Sequence, residues 1–455
     1  MQFANLDRWT PASYTNERWC WPDSVVLPLS SVLQPQVSAL DKANHGVICL
    51  ATLHFDGSLE PRNGDAKAIK GRLFLAEPGD VVYSKIDVRN GAIGIIPDEL
   101  GSTAFTAEFP IYRLNSERAL AQYIKLVFRS RSFRRTINGM VTGASGRKRV
   151  MPSDLLRVEV PIPPLDTQRA IVEHWTNAQN LASQVEAEAI RIEERASFDF
   201  LRALGLNAPE ERVRKRVFAR NWSQIERWGS EVNQPASELD VRRSTYPVVT
   251  LSEVLADLEN GWSPRCLGRP AVDGEWGVLK MGAVSFGRFN MQENKALPAA
   301  LRPIPRLEVH VGDWLISRAN ITRLVGACSF VEATQPRLML CDKIFRAVWR
   351  APSPVAPRYL DAVLKTPHLR RQIEHSLTGS SPTMKNISKP ALLRLEIPLP
   401  PLPLQIDLVA CLVQARERAD ALREQARVLR EKNLFETEAM ILGKLDPPIE
   451  HPRPI

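Results

Sequence analysis

The chain has 455 residues, 44% hydrophobic and 24% charged, with a formal net charge of +9 and a pI near 9.3. That length allows about three domains with sizeable cores, and the charge favours an acidic partner, nucleic acid ahead of an anionic membrane. The cysteines (Cys20, Cys49, Cys266, Cys328, Cys341, Cys411) form no C-x-x-C pair and have no histidine at zinc-ligand spacing, so they read as reduced residues and not as a zinc module. No signal-peptide pattern opens the chain and no apolar run approaches the roughly 20 residues of a membrane span, so a soluble cytoplasmic protein is expected.

The elements come in two matching series. Leu6-Asp7-Arg8-Trp9 is echoed by Ile225-Glu226-Arg227-Trp228, and each leads into a strand-like run, residues 25–33 and 248–255. Between about 25 and 115, short β-branched runs (46–50, 71–75, 80–84) are broken by Gly, Pro, Asn and Asp, a pattern of short strands and tight turns and not of a βαβ sheet. Gly79-Asp80-Val81-Val82-Tyr83-Ser84-Lys85 matches Gly312-Asp313-Trp314-Leu315-Ile316-Ser317-Arg318. In each, Gly-Asp makes the turn, alternate residues bury one face, and Ser-Lys or Ser-Arg ends the strand. One helix running from Tyr123 through Arg134-Arg135 matches one running from Tyr359 through Arg370-Arg371, 236 positions on. Thr142-Gly143 and Thr378-Gly379 then lead into polar loops, 144–149 and 380–386.

Next comes Pro161-Ile162-Pro163-Pro164-Leu165…Gln168, repeated as Pro398-Leu399-Pro400-Pro401-Leu402…Gln405, 237 positions on. Behind each copy, apolar or small residues fall at alternating steps of four and three: Ile171, Trp175, Ala178, Ala182, Val185, Ala189, Ile192, Ala196, then Leu408, Leu412, Ala415, Ala419, Leu422, Ala426, Leu429, Asn433. That spacing is a coiled-coil seam. It predicts two long helices, about 166–204 and 403–442, each about 55 Å long at 1.5 Å per residue. Paired antiparallel, they would set two equivalent globular units at opposite ends, as a ruler with a reader at each end. Residues 206–245, with Arg212-Val213-Arg214-Lys215-Arg216, read as a solvated linker, with a phosphate-contacting arm as the alternative. The tail after Gly443 is Pro-rich and expected to fray.

No phosphate-binding loop, dinucleotide fingerprint, H-E-x-x-H or G-x-S-x-G is present. Asp446-Pro447-Pro448-Ile449 is similar to the Asp-Pro-Pro-Tyr motif of amino-methyltransferases but lacks its aromatic, and the seven histidines are scattered. What remains are strand ends and loops rich in groups that discriminate base edges or meet phosphates. In the first half these are Ser84, Lys85, Asp87, Arg89, Asn90, Ser145, Arg147, Lys148 and Arg149; in the second, Ser317, Arg318, Asn320, Thr322, Arg323, Ser380, Thr383, Lys385 and Asn386. Both halves keep the scaffold and differ in the loops, as two readers of different sequences would.

The ordered duplication of Gly79-Asp80…Ser84-Lys85, Thr142-Gly143…Ser145-Gly146 and the Pro-rich motif with its helix resembles the specificity subunits of type I restriction–modification systems over almost the full length. The resemblance implies an α+β chain with a pseudo-two-fold repeat. Its parts are a target-recognition domain (1–160), a spacer helix (161–205), a linker (206–245), a second recognition domain (246–397), a second spacer helix (398–443) and a tail (444–455). It implies that each domain binds half of a split double-stranded DNA target. The helices, through positions such as Trp175, Val185, Ile192, Leu412, Leu422 and Leu429, set the gap and dock two methyltransferase subunits. It implies no catalysis and no cofactor in this chain: S-adenosylmethionine, ATP and Mg belong to modification and restriction partners. Two departures stand out. Ala144 separates Gly143 from Ser145, and Asn433 interrupts the second seam, where it is expected to fix helix register. The alternatives are the same role in a methyltransferase-based defence system without a restriction partner, and a stand-alone DNA-modifying enzyme.

Overall fold

The two Gly-Asp turns set where each central strand starts. Gly79 and Gly312 sit at φ +85° and +97°, left-handed backbone that glycine adopts without steric cost. The computed structural model describes residues 19–40, 49–62, 71–140, 149–206, 239–285, 287–379 and 384–448. The chain divides into two compact units, residues 1–187 with 422–455, and residues 188–421. Each unit holds one Gly-Asp turn.

In the first unit, Val81–Tyr83 leaves the turn between antiparallel neighbours Ile93–Ile95 and Ile111–Leu114, and the latter also pairs with Leu33–Gln36. A second four-stranded sheet runs in the order Leu59–Arg62, Cys49–Leu53, Thr103–Thr106, Leu73–Ala76, with its middle pair parallel. The second unit repeats the plan. Trp314–Ser317 lies between Cys328–Phe330 and Ile344–Trp349, and the latter pairs with Leu255–Asn260. Gly277–Leu279 lies between Asn294–Ala296 and a parallel Leu338–Met339.

The expected half-buried alternation of the central strands does not hold. Val81, Val82 and Tyr83 are all buried, as are Trp314 through Ser317. Val81 and Tyr83 pack with the helical residues Tyr123, Ile124 and Val127, whereas Val82 packs with Ile96, Phe105 and Ile111. Trp314 and Ile316 likewise face Tyr359 and Val363, while Leu315 joins Val278 and Leu338. The second sheet covers the face that a single sheet would leave to water, so the strands read as continuous apolar runs.

Each expected single helix is two. Ala121–Arg129 is followed by Arg131–Gly139, and Pro357–Leu364 by Pro367–His375. Ser130 is extended and its hydroxyl accepts from Phe133 N, while Thr366 is driven extended by the proline behind it. The runs at 25–33 and 248–255 are also interrupted, by the helical turn Leu29–Ser31 and the short helix Leu251–Val254. In the latter, Glu253 accepts from Thr250 N at 2.6 Å and caps the turn.

The long helices are Leu165–Ala203 and Leu402–Leu442, within a residue of the expected bounds. In the first unit they run antiparallel: His174 meets Glu436 at 3.3 Å, and Glu186 meets Arg430 at 2.5 Å. Every seam position from Ile171 to Ala196 and from Leu408 to Asn433 is buried or partly buried, with Ala182, Ala189, Ala419 and Ala426 innermost. Asn433 is buried and donates to the Trp175 carbonyl at 3.1 Å. The bond satisfies the buried amide and ties the two helices together at this point of the seam.

Candidate nucleic-acid interface

The Gln after each Pro-rich motif ties the long helix to the globular part of its unit. Gln168 Oε1 accepts from Leu120 N at 2.8 Å, and its Nε2 donates to the Arg118 and Pro163 carbonyls. Gln405 does the same with Ala356 N, Pro354 O and Pro400 O. Tyr123 and Tyr359 hydroxyls donate to the carbonyls of Pro161 and Pro398 at 3.1 and 2.8 Å. Both Gln side chains are fully buried, so their amides satisfy backbone groups that water cannot reach. Pro161 and Pro398 themselves lie on short strands paired with Val26–Pro28 and Val248–Thr250.

A second duplicated device anchors the Gly-Asp turn. Asp80 accepts from Glu77 N and from Arg113 Nε at 2.9 Å; Asp313 accepts from His310 N and from Arg346 Nη1 at 3.2 Å. Arg346 also reaches Glu259 at 2.6 Å and is 14% exposed, against 48% for Arg113. Held at its start, each central strand delivers its last residues to one edge.

At that edge three chain segments converge. Lys85 N donates to Glu108 O, and Lys85 O accepts from Val150 N at 2.9 Å. Arg318 N donates to Lys343 O, and Arg318 O accepts from Ile387 N, also at 2.9 Å. The strand end is thus joined in each unit to the exit of its polar loop, so Lys85 lies beside Arg149 and Arg318 beside Asn386. In the second unit Ala319–Asn320 and Lys385–Asn386 form a short antiparallel pair.

Several candidates shape this edge from beneath. Ser84 and Ser317 are buried. Ser84 Oγ accepts from Asp87 N, and Ser317 Oγ donates to Leu324 O. Asp87 and Asn90 face each other at 3.4 Å across the turn Val88–Asn90. Asn320 caps Ile321 N and donates to Ser285 Oγ at 3.3 Å. Asn386 holds Thr378 through its backbone. Others present polar groups outward. Thr322 and Arg323 are exposed, as is Asn90. Lys85 Nζ donates to Ala107 O, Lys385 Nζ to Gly379 O, and the Arg318 guanidinium lies 5.5 Å from the Phe345 ring centroid. Arg89 is partly exposed and Arg149 is exposed. Ser145, Arg147, Lys148, Ser380 and Thr383 lie outside the described residues, as do Leu6-Asp7-Arg8-Trp9, Ile225-Glu226-Arg227-Trp228, the basic run 212–216 and the end of the tail.

The arginines that brace the edge were not among the sequence candidates. Arg129 donates to the carbonyls of Phe55, Gly91 and Ile93. Arg370 donates to Thr322 O and Val325 O at 3.0 and 2.5 Å. Burial pulls both guanidiniums below the ordinary arginine range, and both stay charged. Gly91 is required where Arg129 grips: φ is +106°, and a Cβ would lie 2.1 Å from Phe55 O. The signal for Arg370 was the matched Arg134-Arg135 and Arg370-Arg371 pairs; Arg129 had none, because its partners are carbonyls distant in sequence. Among the described residues no group of His, Cys, Asp or Glu could hold a metal ion, and no helix is long and apolar enough to cross a membrane.

No protein-family model matches the chain. The type I restriction enzyme EcoEI specificity subunit of Escherichia coli is 26% identical over 93% of this chain and 82% of that protein. The EcoKI specificity subunit of E. coli strain K12 is 24% identical over 76% of this chain and 70% of its own length. Among solved structures, a chain described under the assembly and conformational transition of the type I R-M system superposes with a TM-score of 0.57 at 17% identity, covering 92% of this chain and 98% of that one. That likeness is one of fold.

Proposed function

We propose, since this chain belongs to the family of type I restriction–modification specificity subunits, that it reads a split DNA target for a methyltransferase complex. One recognition domain, residues 1–160, takes one half-site and the other, 246–397, takes the second. The observation that carries this reading is the duplicated edge: one frame of Gln clamp, Arg–Asp turn and three converging segments, used twice with different side chains. Lys85, Arg89, Asn90 and Arg149 in one unit, and Arg318, Thr322, Arg323 and Lys385 in the other, supply contacts to phosphates and base edges. Ser84, Asp87, Ser317, Asn320 and Asn386 hold those contacts in shape. Ser145, Arg147, Lys148, Ser380 and Thr383 extend the same loops.

The paired helices set the gap between half-sites and dock two methyltransferase subunits, with a restriction subunit completing the complex. Methyl transfer and cleavage belong to those partners, and this chain contributes recognition in the cytoplasm, where the DNA is. The test is co-expression with the cognate methyltransferase and genome-wide mapping of methylated bases. A split, asymmetric motif is expected. Methyl transfer by the purified chain alone, or an undivided motif, would overturn the reading.

A further inference from the structure

The third segment at each edge brings a carboxylate that lies outside the duplicated motifs. In the first unit it is Glu108, whose backbone carbonyl accepts from Lys85 N at 3.1 Å. Its carboxylate pairs with Arg149 at 3.1 Å, both side chains close to half exposed. In the second unit it is Asp342, one residue before the Lys343 carbonyl that accepts from Arg318 N. Asp342 Oδ1 accepts from the Ser263 hydroxyl at 2.5 Å, Ser263 Oγ accepts from Asp342 N at 3.1 Å, and Oδ2 lies 3.2 Å from Lys343 Nζ. Ser263 arrives there because Gly261 N and Trp262 N pair with the carbonyls of Cys341 and Leu340.

A surface that met only phosphates would gain nothing from a carboxylate beside its reading cation, since like charges repel. Nor does the fold need either group, because half-exposed ion pairs contribute little to stability. A tethered carboxylate with an open edge can, however, accept a hydrogen bond from a base amino group, and cytosine N4 in the major groove is the donor that Asp and Glu read. We propose that Glu108 and Asp342 are specificity-determining acceptors, each reading a cytosine amino group in the half-site of its own unit. Arg149 and Ser263 with Lys343 orient them, and the two cations are left to reach neighbouring phosphates. The proposal rests on the reading of this chain as a DNA-recognition subunit.

The test uses the full chain with its methyltransferase partner and maps methylated bases for Glu108→Gln, Asp342→Asn and the unsubstituted chain. Each substitution removes the negative charge at nearly constant volume. Preference for cytosine at one position should fall about fivefold or more, the low end for a good base contact. The affected position should lie in one half of the motif for Glu108→Gln and in the other for Asp342→Asn. Binding to unrelated DNA should hold or rise, because a repulsive charge is gone. An unchanged motif overturns the proposal, and so does a uniform drop in methylation at an unchanged motif. Asp342→Ala and Glu108→Ala, read in the same way, decide the matter if an amide variant fails to assemble. An unsubstituted complex that yields no split motif strikes the functional reading itself, whereas a split motif that survives both substitutions strikes this inference alone.

Discussion

The strand-end edges of the two units differ where their frames agree. In the first unit the strand ends in Lys85, whose ammonium gives one of its three donors to the Ala107 carbonyl, with Glu108 and Arg149 alongside. In the second it ends in Arg318, laid against Phe345, with Asp342, Lys343 and Lys385 around it. Beneath both edges the same Gln amide, Tyr hydroxyl and Arg–Asp pair recur. Groups that fix backbone are duplicated, and groups that face outward are free to diverge. A frame whose internal hydrogen bonds are satisfied without the outward groups lets those groups change at little cost to stability.

The frame itself is uneven in one respect, and that gives the largest expected effect. Arg346 is nearly buried between Asp313 and Glu259, so Arg346→Ala takes the guanidinium from Asp313 and leaves Glu259 with only the exposed Arg306 at 3.3 Å, and should cost about 3 kcal/mol. Arg113 is half exposed and its partner Asp80, though buried, keeps the Glu77 N–H, so Arg113→Ala should cost about 2 kcal/mol. Urea denaturation of the two variants checks the ordering, and equal losses would break the comparison. The Gln clamps should behave alike: Gln168→Ala and Gln405→Ala each strand a backbone N–H and two carbonyls and should each cost about 2 kcal/mol in the same assay.

Asn433→Ala, which removes the buried bond to Trp175 O, should cost about 1 kcal/mol. Its counterpart in the first helix is Ala196, which has no side-chain group to form such a bond. The smallest effect is at Glu275, which Arg269 holds through two hydrogen bonds at 2.6 and 2.8 Å. The guanidinium lowers its pKa to about 2 from 4.5. A carboxyl depressed in the folded state contributes stability above its unfolded pKa and loses it as pH falls through its folded one. The small loss from Glu275→Gln should therefore be present at neutral pH and vanish as pH drops from 4.5 towards 2, as thermal melts across that range would show.

The long helices were legible to within a residue because a four–three seam depends only on local spacing. The central strands were legible as duplicated motifs, but their burial on both faces was not: it depends on a second sheet whose strands, such as Cys49–Leu53 and Thr103–Thr106, meet across some fifty residues. The break between Ala121–Arg129 and Arg131–Gly139 was hidden because Ser130 reads as an ordinary helix residue until its hydroxyl is seen to cap Phe133 N. At the edge, Lys85 and Arg318 stood out by position in the repeat. Glu108 and Asp342 did not, because backbone pairing brings them there and they share no motif.

The central claim is that each unit reads its own half-site. Replacing residues 246–397 with the corresponding segment of a relative that recognises a different target, and mapping methylated bases with the partner methyltransferase, tests it most directly. One half of the motif and the gap should stay fixed while the other half takes the relative's sequence. A change in both halves, or in neither, would contradict the account.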